Sequence, residues 1–578
     1  MINQEIAKIF YEIAQYLEMD EVAFKPQAYE KAALNLETLS DDVEEIYKKG
    51  GVAALEKISG IGKALAKKIV EYIKTGKIKT LKKLKKKTPV NIEELTAVEG
   101  LGVKRIKILY KKLGIKNLKD LEKAANKNKI SPLAGFGEKT ENNILDGIKF
   151  LKRNKGRFLL GEILPNVYKI INELKKVKEV KKISEAGSVR RRKETIGDVD
   201  ILIASHKPKK VINYFVSMPG VVRVWSKGPT KASVRLKKGF DADLRVLPEK
   251  QFGSALQYFT GSKEHNIVLR KIAINKGFKL NEYGLFKGKK MIAGKTEEEI
   301  YKKLGMSYIE PELRENQGEI ELALSSPKGL PKLIKLNNIK GDFHCHSHWG
   351  AGKGKQGIEN LVKTAFEIGY KYIGIADHTK FLAIEHGLNE KQLAQQRKYI
   401  NKLNSRFQIL NSRFSILQGC EANIMADGSI DIKDEVLAKL DFVIAGVHSQ
   451  LKMPKEKMTE RIIKAMRNPN VDIISHLTGR VIQHRDECEI DFDKILKVAK
   501  ETGTILEINA YPVRLDLKDI NIRKAKEMGV KMIINTDAHQ SEQMYFMDYG
   551  VSQARRGWAE KKDIVNCLPV EKLLKMLK

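Results

Sequence analysis

Eight side chains of metal-binding type, His344, His346, His378, Glu421, His448, His476, Asp537 and His539, recur through the C-terminal part of the chain, each at or just beyond a short apolar run. Seven such runs can be read: Gly341-Asp-Phe-His-Cys-His346, Tyr372-Ile-Gly-Ile-Ala-Asp-His378, Ser415-Ile-Leu-Gln-Gly-Cys-Glu421, Phe442-Val-Ile-Ala-Gly-Val-His448, Val471-Asp-Ile-Ile-Ser-His476, Thr504-Ile-Leu-Glu-Ile-Asn509 and Lys531-Met-Ile-Ile-Asn-Thr-Asp-Ala-His539. Strands that all deliver polar groups at their C-terminal ends describe the rim of a barrel. Nine of the eleven histidines lie between His344 and His539, a concentration that composition does not explain. Histidine, aspartate and glutamate without thiolate suit zinc or manganese, and a carboxylate can bridge two ions as two-metal phosphoester hydrolysis requires. A lone buried histidine is more often a hydrogen-bonded core residue, but a full set at strand ends points to a multinuclear centre. Asn509 closes one run as a rim residue only.

A second group of carboxylates lies upstream. Gly187-Ser188-Val-Arg-Arg191 precedes Gly197-Asp198-Val-Asp200-Ile-Leu-Ile203, an alternating strand whose Asp198 and Asp200 share one face. Paired carboxylates can hold two magnesium ions that bridge phosphate oxygens and activate a hydroxyl. The strand Phe240-Asp-Ala-Asp243-Leu-Arg-Val offers a third carboxylate, Asp241 or Asp243. An isolated Asp-x-Asp is common on surface strands, so this pair alone decides nothing.

The first 150 residues read as helices broken by Gly60-Ile-Gly62, Gly100-Leu-Gly102 and Gly135-Phe-Gly137, with lysines such as Lys63 and Lys104 at the following helix starts. Such turns expose backbone N–H groups to a phosphate without reading bases. One triplet is often just a tight turn; three in a basic segment resemble helix-hairpin-helix modules that grip the DNA backbone.

Of the net charge of +35, residues 1–320 carry +26, which favours a polyanionic partner over the alternative of solvated lysine-rich surfaces. A chain of 578 residues holds several domains. Cys345, Cys420, Cys488 and Cys567 have no zinc-type spacing and are too few for a disulfide scaffold, which suits a reducing cytoplasm. Neither a leader segment nor a membrane span is read, and cytoplasmic localisation is expected. Residues 75–90 read as a basic connection ending in proline, and Ser325-Ser-Pro-Lys-Gly-Leu-Pro331 as a link to the C-terminal part.

The segments His344-Cys-His346, Ala376-Asp-His378, Gly419-Cys-Glu421, Gly446-Val-His448, Ser475-His476-Leu-Thr-Gly-Arg480 and Thr536-Asp-Ala-His539, in this order, resemble the PHP family of polymerases and histidinol phosphatases. The resemblance implies a distorted seven-stranded barrel with a three-metal phosphoesterase site, two or three Mn2+ or Zn2+ ions, and Arg480 holding the phosphate. Ala351 stands where the family usually carries an aspartate, which implies one weakened metal position.

Gly-Ser followed ten residues later by Asp-x-Asp resembles the nucleotidyltransferases. Phe252-Gly-Ser-Ala-Leu-Gln-Tyr258-Phe259-Thr260-Gly261-Ser262-Lys-Glu-His-Asn266 through Arg270 narrows the resemblance to the family X DNA polymerases. It implies that Asp198, Asp200 and Asp243, rather than Asp241, hold Mg2+ (or Mn2+), with Asp243 helping to deprotonate the primer hydroxyl. Gly187, Ser188, Arg191 and Gly197 would receive the triphosphate, Tyr258, Phe259 and Gly261 the sugar, and Asn266 and Arg270 the nascent pair or template. Lys68 matches the Schiff-base lysine of lyase-active members, with Lys25 and Tyr29 also matching. Phe24 replaces a histidine there, so 5′-phosphate binding is the favoured role of that module.

Together these resemblances imply a monomeric DNA repair enzyme that fills short gaps with dNTPs, as in base excision repair, on gapped primer-template DNA bearing a 5′-phosphate. A metal-dependent 3′ to 5′ exonuclease, with abasic-site cleavage or 3′-end trimming, would accompany the polymerase. The competing readings are a hydrolytically impaired, structural PHP domain and a nucleotidyltransferase acting on a non-DNA acceptor. The expected architecture is multidomain α+β and α/β. It comprises a helical 5′-phosphate-binding or lyase-like domain (1–85), a helix-hairpin-helix subdomain (86–152), a polymerase palm with a mixed sheet (153–248) and a nucleotide-selection subdomain (249–322). A linker (323–337) leads to the distorted seven-stranded (β/α) barrel (338–578).

Overall fold

Apolar residues three and four apart dictate a helical N-terminal part. In the computed structural model, residues 2–578 are described except 40–41, 59, 97, 99–100, 154–155, 326–328, 350–353, 383–386 and 410–413, so Gly100 and Ala351 lie outside the described residues. Residues 1–155 with 483–485 form one unit, and 156–482 with 486–578 a second.

In the first unit, helices Ile2–Met19, Lys25–Thr38, Val43–Glu56 and Lys63–Thr75 enclose Phe10, Ile13, Leu36, Leu55 and Ile69. A second core gathers Leu95, Ile106, Leu109, Leu121 and Ile144. Helices Lys63–Thr75 and Val103–Leu113 start after extended Gly62 and Gly102 and end at left-handed Gly76 and Gly114. The stretch read as a connection contains the helix Lys79–Lys87. Its Leu81 and Leu84, three residues apart, pack on the helical cores while the lysines face outward; density of charge masked a helical period.

The second unit begins with a five-stranded mixed sheet in the order Lys182–Glu185, Val199–Ala204, Asp241–Leu247, Lys231–Leu236, Val221–Lys227. Its one parallel pair joins Val199–Ala204 to Asp241–Leu247. Val199, Ile201 and Ile203 bury one face against helices Leu160–Lys175 and Pro208–Val216. Period-two alternation turns Asp198, Asp200 and Leu202 to the other face, where Leu202 meets Phe252 and Ala255 of helix Phe252–Thr260. Beyond it, helices Lys263–Asn275 and Glu297–Lys303 and three short antiparallel strands surround Leu269, Leu285, Ile300 and Tyr301.

C-terminally, every apolar run contains a strand. They form two parallel sheets, Gly341–Cys345, Tyr372–Ile375, Ser415–Gln418 and Glu421–Asn423, Ile444–Gly446, Ile473–Ile474, Ile505–Asn509, Met532–Asn535. The expected barrel is thus not one continuous ladder. The sheets meet through isolated parallel bridges, His378 to Glu421 and Cys345 to Ala538. Phe343, Tyr372, Phe442, Ile444, Ile473, Ile505 and Ile533 fill the space within, and a side chain at Gly374 would come within 2.7 Å of Phe442. Outer helices such as Ile358–Ile368, Lys455–Met466 and Phe492–Thr502 complete the layer. Ile482, Leu515 and Tyr549 join the core of the mixed sheet, and Gly161 packs so closely on Pro512 that a Cβ would overlap it. The segment read as a linker packs against this part: Ile334 N–H donates to the Ala559 carbonyl at 3.0 Å. Among the described residues no helix is long and apolar enough to cross a membrane.

Phe442 is 1% exposed and its ring centroid lies 4.6 Å from that of Phe343. Phe442→Ala is predicted to cost ~3–5 kcal/mol in denaturant unfolding, whereas Ile520→Ala, at an exposed position, should stay within about 0.5 kcal/mol.

Candidate metal cluster and nucleotide cleft

All eight sequence-predicted ligands of the C-terminal part converge on one point because parallel strands end there together. Glu421, fully buried, is the hub. Its Oε2 lies 2.9 Å from His378 Nδ1, 3.3 Å from His344 Nε2 and 3.7 Å from His346 Nε2. Its Oε1 lies 2.9 Å from His476 Nε2 and 3.3 Å from His448 Nε2. Asp537 Oδ1 approaches His346 Nε2 at 3.2 Å, and His539 Nδ1 at 3.7 Å. Three overlapping triads have metal-ligand spacing: His346, His378 and His539; His344, His346 and Asp537; His378, Glu421 and His448.

The donor chemistry fits divalent cations. Both ring nitrogens of His448 and Nδ1 of His346 are buried without a hydrogen-bond partner among the described residues, a cost that ligation removes. Burial, then His539 and His378, push the His346 pKa well down, keeping it neutral as a ligand must be. Burial opposes ionisation of Glu421, yet His344, His448 and His378 hold it well below the usual carboxylate range.

Glu507 was not singled out from the sequence. It accepts from His344 Nδ1 at 2.7 Å, orienting that ring, and from the His476 backbone N–H at 2.9 Å, fixing the main chain that carries the second imidazole. A lone carboxylate inside the apolar run 504–509 was its signal. Asn509, read as a rim residue, donates to Glu507 and Asp537, both at 3.2 Å.

Arg480 does not point at this cluster. It is buried and donates to Glu194 at 2.7 Å and to the Leu515 carbonyl, bracing the C-terminal sheet against the mixed sheet. The cation beside the cluster is Arg514, 23% exposed, with Nε 3.8 Å from Asp537 Oδ2; after burial, it is the main influence lowering the His476 pKa.

The second site is a cleft of about 480 Å³ in the mixed-sheet part. Gly187, Ser188, Arg191, Gly197, Asp198, Asp200, Tyr258, Phe259, Gly261, Asn266 and Arg270 all line it. Asp200 and Asp243 are direct partners across the parallel ladder. Asp241 is instead committed to Arg235, at 2.8 Å, and accepts from Trp225 Nε1 at 2.8 Å. Gly187, at φ 58°, holds a left-handed backbone that strains any side chain, and a Cβ there would lie 2.5 Å from Asp200 Oδ2 and displace that carboxylate. Asn266 is fixed from both ends, accepting from Gln257 Nε2 and donating to the Tyr258 carbonyl, each at 2.7 Å.

In the N-terminal unit, Gly60, Gly135 and Gly137 adopt positive φ, and Lys63 and Lys104 start helices with exposed side chains. Lys68 is half-buried on the helix Lys63–Thr75, and Phe24 is 87% exposed.

Residues 1–78 match a helix-hairpin-helix domain, 92–149 a SAM-like helix-hairpin-helix tandem, 255–315 the DNA polymerase beta thumb and 342–511 the PHP domain. The chain is 38% identical over 583 residues to the DNA polymerase/3′-5′ exonuclease PolX of Bacillus subtilis, spanning 100% of both. A probable phosphatase of Thermoanaerobacter sp. is 40% identical over 136 residues, 22% of this chain and 53% of that one. A probable phosphatase of Clostridium acetobutylicum is 30% identical over 209 residues, 35% and 79% of the two.

Burial, then Asp198 and Asp243, push the Asp200 pKa up to about 7. The stabilisation from its protonated form is whole below the ordinary value of 3.8 and lost as pH rises through about 7. In divalent-free protein, wild type should therefore lose thermal stability across roughly pH 4 to 7 relative to Asp200→Asn. The variant should melt at least about 2 °C higher at the alkaline end; parallel melting curves across the range would contradict the placement.

Proposed function

The chain belongs to the family X DNA polymerases that carry a PHP domain, and from that premise we propose that it fills short DNA gaps in repair and removes 3′-terminal nucleotides at a second site. The single observation that carries the reading is the convergence of two phosphoester-type sites, a carboxylate-floored nucleotide cleft and an eight-ligand cluster, in one unit of a chain that matches PolX end to end. The proposed domain limits remain 1–85, 86–152, 153–248, 249–322 and 338–578. The proposed partners are gapped DNA with a 5′-phosphate and dNTPs, met by a monomer in the cytoplasm.

In the polymerase, Asp198, Asp200 and Asp243 would hold Mg2+ or Mn2+, which offsets triphosphate charge and acidifies the primer hydroxyl when bound. The like-charged trio is self-repelling without a cation; burial first, then Asp198 and Asp243, raise the Asp200 pKa. Arg191 would take charge developing on the pyrophosphate. Tyr258 and Phe259, with ring centroids 5.1 Å apart, would wall the sugar, and the pinned Asn266 with Arg270 would contact the nascent pair. Gly60, Gly62, Lys63, Gly102, Lys104, Gly135 and Gly137 would grip DNA phosphates without reading bases. Lys68 would contact a downstream 5′-phosphate, its lyase role being secondary because Phe24 replaces a histidine.

In the PHP part, the three overlapping triads, one of which contains Glu421, would hold two or three Mn2+ or Zn2+ ions, which polarise a phosphodiester and activate the attacking water when bound. Glu507 keeps the His344 ring and the His476 main chain in place. Arg514, rather than the buried Arg480, would hold the scissile phosphate, because it lies beside the cluster and, among the described residues, its one side-chain ion-pair contact is the 3.8 Å approach to Asp537.

Asp198→Ala with Asp200→Ala should abolish magnesium-dependent gap filling while leaving manganese-stimulated 3′ digestion intact. Glu421→Ala should do the reverse, lowering digestion by about 100-fold or more. Digestion by Glu421→Ala at the wild-type rate would reassign the PHP part as structural, and preferential extension of an RNA acceptor would overturn the gap-filling reading. Arg514→Ala should lower exonuclease kcat/KM by roughly 30-fold.

A further inference from the structure

Arg191 is the cation aimed at the incoming triphosphate, yet it has an anionic rival within its own fold. Its Nε lies 3.1 Å from Glu315 Oε1, and Nη1 donates to the Thr260 carbonyl at 2.5 Å. A carboxylate bonded to a phosphate-binding arginine competes with the substrate for it. What limits Glu315 comes from the far end of the chain. Arg556, on the helix Met547–Arg556, donates through Nη1 both to Glu315 Oε1 at 3.1 Å and to the Arg191 carbonyl at 2.8 Å. Its Nη2 is anchored by the Asp519 carboxylate, and only 3% of its side chain is exposed. Lys193 stands 3.8 Å from the other Glu315 oxygen. Burial opposes ionisation of Glu315, and Arg556, ahead of Arg191 and Lys193, holds the carboxyl below its ordinary range.

We propose that Arg556 of the PHP part is a positioning residue for nucleotide addition: it shares Glu315 and fixes the Arg191 main chain, so that the Arg191 guanidinium can be surrendered to the triphosphate. Two neighbouring arginines mark this as a built junction. Arg480 holds Glu194 at 2.7 Å, so the segment after the Gly187–Arg190 turn is gripped from the PHP part at both ends. Arg555 pairs with Glu312 at 2.7 Å and donates to the Ile334 carbonyl at 3.0 Å, fixing the segment that carries Glu315. The contacting residues are 365 and 241 positions apart in sequence, so no local propensity produces them. The polymerase cleft is therefore completed by the nuclease part, although Arg556 touches no substrate.

The proposal rests on the reading of Arg191 as a triphosphate ligand. The test uses the full-length chain on DNA with a one-nucleotide gap, with manganese-stimulated 3′ digestion measured on the same preparation. Arg556→Ala should raise the KM for dNTP about 10-fold with kcat within about threefold, while digestion is unchanged. Glu315→Gln added to Arg556→Ala should return KM to within about threefold of wild type, because the rival charge is gone; a merely structural arginine would not be rescued this way. An unchanged KM in Arg556→Ala, or a double variant no better than the single one, overturns the proposal. Should Arg556→Ala lose digestion and melt early, Arg556→Lys decides. It keeps a charge near Glu315 but cannot span three acceptors, so a raised KM supports the proposal and a wild-type KM overturns it. Absence of dNTP incorporation by wild type would instead sink the polymerase reading itself.

Discussion

A carboxylate with no solvent access, Glu421, lies 2.9–3.7 Å from five imidazoles. Burial of an ionised group is tolerated only with compensating charge and hydrogen bonds, and most of the C-terminal architecture follows from that demand. Short parallel strands of two sheets bring side chains at or next to their ends around it. The strands fall into two sheets joined at His378 and Glu421 by a single parallel bridge. Close packing of Phe442 over Gly374 keeps the strands near enough for the ligands to overlap. Protonation of His344, which Glu507, Glu421 and Asp537 favour against burial, is the partial substitute for a cation within the protein itself.

The polymerase cleft obeys the same rule at lower density. Asp200 sits opposite Asp243 in the parallel ladder and shares a face with Asp198, so like charge accumulates where alternation and register leave no alternative. Arg190 and the fully buried Arg314 neutralise Glu297 beneath it, at 2.6–2.9 Å. The two sites are not independent modules. Ile482, Leu515 and Tyr549 lie in the core of the mixed sheet, and a seam of arginines crosses between the two parts. Chemistry that extends a 3′ end and chemistry that shortens it thus stand on one frame.

Features governed by short-range period were legible from residues alone. Strand alternation placed Asp198 with Asp200, and recurrent apolar runs located all eight members of the Glu421 cluster. Glycine spacing marked the helix starts at Lys63 and Val103. Charge concealed the helix Lys79–Lys87, whose two leucines were outnumbered by lysines. Tertiary pairing concealed the rest. Arg480 and Arg514 are both arginines near apolar runs, and only the 286-residue separation between Arg480 and its partner Glu194 explains why one braces the fold and the other faces the cluster. Closure of the strands as two sheets rests on single bridges, His378 to Glu421 and Cys345 to Ala538, that hydropathy does not encode.

The central claim is that the Glu421 cluster is built around cations. Metal content by mass spectrometry of full-length protein purified without chelator, compared with Glu421→Gln, tests it most directly. The account predicts roughly two to three equivalents of manganese or zinc in wild type and fewer than about one in the variant. Wild-type protein with less than one equivalent, and a melting temperature indifferent to added manganese or zinc, would contradict it.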